Sequence, residues 1–171
     1  MEIEYIDVSS VNRDTLSIQQ TSILLGSEAP SRARRLVHTG DVIFATVRPT
    51  LKRITVIPET LDGAVCSTGY FVLRPTDEVL SRYLFYYLQS QRFSNEIESL
   101  QRGASYPAVS DKDVKEHIML LPPLEEQQRI VSILDETFIN TKLGKEKAHS
   151  QISLYDSLEK SALQEAFSGR M

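Results

Sequence analysis

A double proline divides this chain. In Leu120-Leu121-Pro122-Pro123-Leu124-Glu125-Glu126-Gln127-Gln128-Arg129-Ile130-Val131, an apolar, strand-like end runs into the prolines and a long helix starts. Pro122 restricts Leu121 to extended geometry, and Pro123 suits a first helical turn, where a missing N–H costs nothing. Glu125 and Glu126 then fall where the positive end of the helix dipole favours acids. Beyond Pro123 no further proline occurs, and the only glycines are Gly144 and Gly169. Steps of three and four from Val131 pass through Leu134, Phe138, Thr141, Lys145, Ala148, Ile152, Tyr155, Glu159, Ala162 and Ala166; eight of these eleven positions are apolar. Such a sustained period of about 3.5 residues asks for another helix alongside. At about 1.5 Å per residue, a helix from Leu124 to Phe167 runs roughly 65 Å, too long for a small head to cover. Val131, Leu134, Phe138, Ala148, Ile152, Tyr155, Ala162 and Ala166 are therefore the expected partner face. Gly144, at a cost of about 1 kcal/mol against Ala, and the polar Thr141, Lys145 and Glu159 either set register or mark a break between two shorter helices.

Ahead of the prolines the pattern is different. Glu2 to Val8 alternates loosely and reads as a short strand at a sheet edge, with turn chemistry at Asn12-Arg13-Asp14. Thr15 to Leu25 is ambiguous, and Gly26 to Arg35 reads as loop or short helix. Gly40-Asp41 punctuates before the apolar run Val42 to Val47; Arg48-Pro49-Thr50 breaks it, and Arg53 to Ile57 restarts it. Asp62-Gly63 is a further turn before Val65 to Thr68 and Tyr70 to Leu73. Cys66 reads as a small, half-buried strand residue. After Pro75, Leu80, Tyr83, Leu84, Tyr87 and Leu88, then Phe93, Ile97 and Leu100, recur at helical spacing as a stripe that packs on the sheet. Gly103 suits a helix stop, Ser110 with Asp113 can cap one short turn, and His117 to Leu121 reads as a last strand. The expected class is α+β: a small, twisted, mostly antiparallel sheet with packed helices, residues 1–121, followed by a long coiled-coil-type helix, residues 122–171.

A chain of 171 residues can bury one good core. Met1 leads into Glu2 and Glu4 rather than a basic and then apolar segment, so no signal peptide is visible, and no apolar run approaches the ~20 residues that span a bilayer. A lone Cys66 and three scattered histidines suggest neither a disulfide framework nor a metal site. A cytoplasmic, non-membrane protein is expected. There is no Gly-rich phosphate loop, no Gly-x-Ser-x-Gly, and no Asn/Asp-Pro-Pro-aromatic run of the kind DNA aminomethyltransferases use. No enzyme chemistry and no cofactor are indicated.

Net charge is −4, but it is unevenly spread. Between Ser31 and Arg53 stand Arg32, Arg34, Arg35, Arg48, Lys52 and Arg53 against Asp41 alone, a stretch of +5 that leaves −9 for the remainder. Such a patch either holds a phosphate backbone or is a solvated loop whose arginines pair with nearby acids. Arg48, Lys52 and Arg53 lie on a strand-to-strand connection that a rigid sheet can present. Arg can neutralise phosphate and can also take guanine O6 and N7 in a fork. Thr46, Ser67, Thr68, Ser105 and Tyr106 stand at strand ends and loops, suited to base edges or phosphates.

Leu121-Pro122-Pro123-Leu124 with Glu126-Gln127 and Ile130, followed by Ile133-Leu134-Asp135, resembles the PPLxEQxxI-type run that opens the long helix in specificity subunits of type I restriction–modification enzymes. Gly40-Asp41-Val42-Ile43 resembles the run before a central strand in their recognition domains. Tyr70-Phe71-Val72-Leu73-Arg74-Pro75 with Tyr83-Leu84 is similar to their strand-to-helix step, and Ala166-Phe167-Ser168-Gly169 to the close of their helix. The resemblance implies a target recognition domain for double-stranded DNA joined to a helical spacer, itself catalysing nothing. A full specificity subunit has two such units with antiparallel helices. Each unit reads half of a split site, and methyltransferase and restriction subunits assemble on the whole. This chain holds one unit and begins after the family's opening segment, so a two-part site implies self-association through Leu124–Phe167. The competing expectation is an assembly protein, a head on a coiled-coil stalk that reads no DNA.

Overall fold

The computed structural model describes residues 1–168. The chain divides into two compact units, Met1–Gln128 and the stretch from Arg129 onward. The first contains seven strands: β1 (Glu2–Ile6), β2 (Ser22–Leu25), β3 (Ala33–Leu36), β4 (Val42–Ala45), β5 (Ile54–Val56), β6 (Val65–Ser67) and β7 (Tyr70–Leu73). Three helices follow, α1 (Ser81–Gln89), α2 (Gln91–Ser99) and α3 (Asp111–Lys115). The α+β class holds, but the strands form two sheets rather than one. A four-stranded sheet runs β2-β1-β6-β3 and a three-stranded one β5-β4-β7. Every pairing is antiparallel except β1 with β6, where Tyr5 stands beside Val65 and Ile6 beside Cys66.

Ile6 and Cys66 from the first sheet meet Ile43, Ala45 and Tyr70 from the second, with Val11, Val37, Ile57, Leu61 and Ala64 completing the core. The intervening residue of β4, Phe44, packs the opposite way, edge-on to Phe93 of α2 with ring centroids 5.2 Å apart. A strand buried on both faces reads as an unbroken apolar run, which explains Val42-Ile43-Phe44-Ala45. Asp41 is almost fully buried just ahead of it. Its carboxylate accepts from His38 N and takes both Nε and Nη2 of Arg74, at 2.8 and 2.7 Å. Arg74 is thus held at the exit of β7. α2 is capped by Ser90, whose hydroxyl accepts from Phe93 N, and α3 carries the full Ser110/Asp113 capping box.

Five local expectations are corrected. β1 is internal, flanked by β2 and β6, because its apolar Tyr5 and Ile6 find a distant parallel partner. Gly26 to Arg35 is neither pure loop nor helix, since Ala33–Leu36 pairs with β6 across a bulge. His117 to Leu121 forms no strand: Ile118 and Leu120 are 77% and 72% exposed. That segment is held instead by the His117 ring, wedged between Tyr87 and Phe93 with Nε2 2.6 Å from the Tyr87 hydroxyl. Gly103 does not end α2, which stops at Ser99; it takes φ +95° in the next loop, where a Cβ would lie 2.9 Å from Tyr106 O. Cys66 is wholly rather than half buried.

α4 (Leu124–Phe167) is one continuous helix of 44 residues, unbroken at Gly144. Pro123 caps it, its carbonyl accepting from Glu126 N and Gln127 N. In its first turn Gln127 is fully buried. Gln127 Oε1 accepts from Leu80 N at 2.9 Å, and Nε2 donates to Glu78 O and Pro122 O at 2.8 and 2.9 Å. Further along, Val131 and Leu134 are half-buried, while Phe138, Ala148, Ile152, Tyr155, Ala162 and Ala166 are exposed. The 3.5-residue reading missed a second apolar line, Ile139, Leu143, Leu154 and Leu158, each about half exposed or more. Thr141, flagged as a polar interruption, donates its hydroxyl to Thr137 O at 2.8 Å and stays within its own helix. Gly169 lies outside the described residues. No helix among the described residues is long and apolar enough to cross a membrane.

Candidate nucleic-acid interface

Beyond Ala45 the end of β4 is tied to three other segments. Thr46 donates both its N–H and its hydroxyl to Gly69 O, at 2.8 and 3.1 Å, and its carbonyl accepts from Val109 N. Val47 bridges to Ala108, and Arg48 N donates to Pro107 O at 2.7 Å. Thr68 N in turn donates to Arg32 O at 2.8 Å, which draws the start of β3 to the same place. Between them opens a cleft of about 280 Å³ lined by Arg32, Val47, Thr68, Gly69, Tyr106 and Ala108. Gly69 packs closely here: an added Cβ would lie 2.5 Å from Val8 Cγ2 and would require that side chain to shift.

A short 3-10 turn, Pro49–Leu51, follows β4, with left-handed residues at both ends: Arg48 at φ 50°, ψ 55° and Lys52 at φ 49°, ψ 44°. For residues with a Cβ this conformation is costly and persists only where the surroundings over-determine it. The Arg48 guanidinium lies 4.2 Å from the centre of the Tyr106 ring, itself 66% exposed. The loop that carries Tyr106 is closed by reciprocal bonds between Arg102 and Ala108, each 2.9 Å. Arg102 is clamped by two bonds to the Asp113 carboxylate at 2.8 and 3.1 Å. That guanidinium, with the Ser110 hydroxyl and N–H, holds the Asp113 carboxyl well below the usual range. Near the cleft, burial pushes the Asp7 carboxyl up, but Ser9, Tyr5 and the charge of Arg32 outweigh it and leave it lowered.

Arg32, Arg48, Thr68 and Tyr106 are therefore the expected interface residues that the fold brings together. The others divide by environment. Arg34 is exposed on β3 and Ser105 is exposed beside Tyr106. Arg35 is tied to Asp111 at 2.7 Å. Lys52 donates to Gln89 O at 3.2 Å, and Arg53 is half-buried with its Nε enclosed and unbonded. Thr46 and Ser67 are buried; the Ser67 hydroxyl accepts from Gly69 N, so both hydroxyls shape the turn instead of facing out. Val47, Gly69 and Ala108 escaped sequence reasoning because their contribution is shape. A larger cleft of about 390 Å³, around Ser17, Gln19, Thr55 and Leu61, has no charged lining residue. No cluster of three or more His, Cys, Asp or Glu among the described residues is placed to hold a metal ion.

Residues 3–153 match the family described as the type I restriction modification DNA specificity domain. The chain belongs to that family. It is 24% identical over 139 residues to the EcoDI specificity subunit of Escherichia coli, covering 81% of this chain and 30% of that protein. With the HindI specificity subunit of Haemophilus influenzae it is 26% identical over 124 residues, covering 68% and 27%. The crystal structure of the HsdS subunit from Thermoanaerobacter tengcongensis superimposes with a TM-score of 0.84 at 38% identity, over 96% of this chain and 43% of that one. A chain from a structure of a type I restriction–modification system, solved to explain complex assembly and conformational transition, gives 0.89 at 37% identity, over 97% and 43%. This chain thus spans about a third or less of these curated relatives and under half of each solved chain.

Proposed function

We propose that this chain reads one half of a two-part site on double-stranded DNA and takes no part in covalent chemistry. Residues 1–121 act as the recognition domain and residues 122–171 as the spacer. The observation that carries the reading is the cleft of Arg32, Thr68 and Tyr106 with Arg48 beside it. These groups come from four separate segments, in a chain of a DNA specificity family. Neither Arg32 nor Arg48 has a carboxylate within 4.0 Å among the described residues, whereas Arg35, Arg74 and Arg102 each do. Free cations at a rigid edge suit phosphate, and exposed Arg34 adds to them. The apolar positions of α4 serve self-association with a second copy, and the paired helices offer a scaffold to methyltransferase subunits in the cytoplasm.

The test is fluorescence anisotropy of the full chain on a duplex pool at about 0.1 M salt. Replacing Arg32 and Arg48 together with Ala lowers affinity at least about tenfold while the tyrosine signal of the fold is retained. Affinity equal to that of the parent chain would overturn the assignment of the cleft. Complete failure of the parent chain to bind any duplex, at any salt, would favour the pure assembly role.

A further inference from the structure

We propose that Arg48, braced on Tyr106, reads the edge of a guanine in the major groove; this rests on the DNA-reading role above and names the base it takes. Most arginines with an identified partner in the head are spent on carboxylates: Arg35 on Asp111, Arg74 on Asp41 and Arg102 on Asp113, at 2.7 to 2.8 Å. Arg48 is exposed and has a ring, not an acid, as its partner. A guanidinium stacked on an aromatic face keeps its in-plane N–H edge free, so it presents a fork instead of a point charge. Lysine cannot do this.

The backbone adds a second, independent reason. Arg48 sits at φ 50°, a conformation that glycine enters without penalty, and it is pinned there by its own N–H on Pro107 O. An arginine at such a position aims its side chain from a fixed point rather than from a flexible tip. Its platform is fixed as well. The Tyr106 loop is closed across Arg102 and Ala108, anchored through Arg102 to Asp113, and tightened by the close approach of Gly103 to Tyr106 O. Strain and rigidity together at an exposed residue mark a recognition position more than a solvated turn.

Guanine follows from the fork. Its major-groove edge offers two acceptors, O6 and N7, that match two parallel N–H groups. Adenine pairs its N7 acceptor with a donor and thymine offers one acceptor beside a methyl, so each leaves one arm of the fork unmet; cytosine offers only a donor and leaves both unmet. Arg32 and the exposed Thr68, across the cleft, are placed for the adjoining backbone.

The experiment is selection of bound duplexes from a randomised pool by the full chain and by Arg48→Lys and Arg48→Gly. The parent returns a motif with at least one G·C position preferred by about 5- to 150-fold. Arg48→Lys flattens that position and leaves the salt dependence of binding unchanged, because the charge remains and the fork is gone. Arg48→Gly flattens the same position and leaves the salt slope unchanged, because the lost contact is to a base and not a phosphate, while its melting temperature equals or exceeds that of the parent because the left-handed backbone is relieved. That combination separates a reading residue from a structural one. A parent motif kept intact by Arg48→Lys, or one flattened at an A·T position, would overturn the guanine assignment and leave DNA reading standing. A parent chain that binds the pool but enriches no motif would overturn both.

Discussion

Replacing Gln127, a fully buried residue, with Leu removes three hydrogen bonds and leaves the shape nearly unchanged. The three do not weigh equally. Leu80 N opens α1 at a cap position that has no side-chain cap of its own, so losing Gln127 Oε1 strands a donor. Pro122 O, half-buried at the double proline, loses Nε2; Glu78 is exposed, and its carbonyl can turn to water. A stranded buried group costs about 1–3 kcal/mol and a replaceable bond about 0.5–1.5 kcal/mol, so Gln127→Leu costs the head about 2–4 kcal/mol after the gain in apolar burial. That is a large share of the ~5–15 kcal/mol typical of a domain. Urea melts should be followed by tyrosine fluorescence, since the chain has seven tyrosines and no tryptophan. Far-UV dichroism would chiefly report α4. Gln127→Glu sharpens the test. Its carboxylate would face two carbonyl oxygens without solvent, so its folded pKa lies above the ordinary ~4.3. The deficit is then greatest above that folded value and shrinks as pH falls through it. A Leu variant within about 0.5 kcal/mol of the parent would refute the buried-peg account of the helix start.

Three further outcomes follow from the same structure. Burial pushes the Cys66 thiol up to about 12, so a disulfide reagent at neutral pH labels it only once the head unfolds; rapid labelling of the native chain would contradict the core described here. Asp113 is held below its usual range chiefly by Arg102, so its contribution is present above the unfolded carboxyl pKa and is lost as pH falls through the lowered folded value. Arg102→Ala therefore moves the acid-unfolding midpoint to higher pH, and an unmoved midpoint would show that this pair is silent. Asp at both Leu134 and Ile152 puts charges on the expected partner face and halves the mass seen by light scattering; a parent chain that is already monomeric would contradict self-association through α4.

Local chemistry was the legible part. Proline geometry, paired glutamates and the absence of later prolines located α4 to within a residue of its start, and the Ser110/Asp113 spacing disclosed a capping box. Two runs noted for resemblance, around Asp41 and Arg74, turn out to be one device, since the buried carboxylate of the first clamps the guanidinium of the second. Non-local pairing was not legible. Nothing in Glu2–Ile6 says that β6 will lie parallel to it, and the apolar alternation of His117–Leu121 looks the same whether a sheet edge is free or not. At the cleft, Arg32, Arg48, Thr68 and Tyr106 were among the expected residues, but so were Thr46 and Ser67. A hydroxyl that closes a turn and one that faces solvent have the same sequence signature. Lys52 looked as free as Arg48, and its bond to a carbonyl on α1 emerges only from the packing.

The most direct measurement is the affinity of the unmodified full chain for a duplex pool across a salt series. Arg32, Arg34 and Arg48 are three exposed cations with no carboxylate within ion-pair distance among the described residues. Three phosphate contacts predict that log K falls against log salt with a slope of about −2.7 per head. If Arg48 is on a base and not a phosphate, the slope is about −1.8, with the difference reappearing as sequence preference. A flat salt dependence, or no binding at low salt, would contradict the claim that this cleft reads DNA.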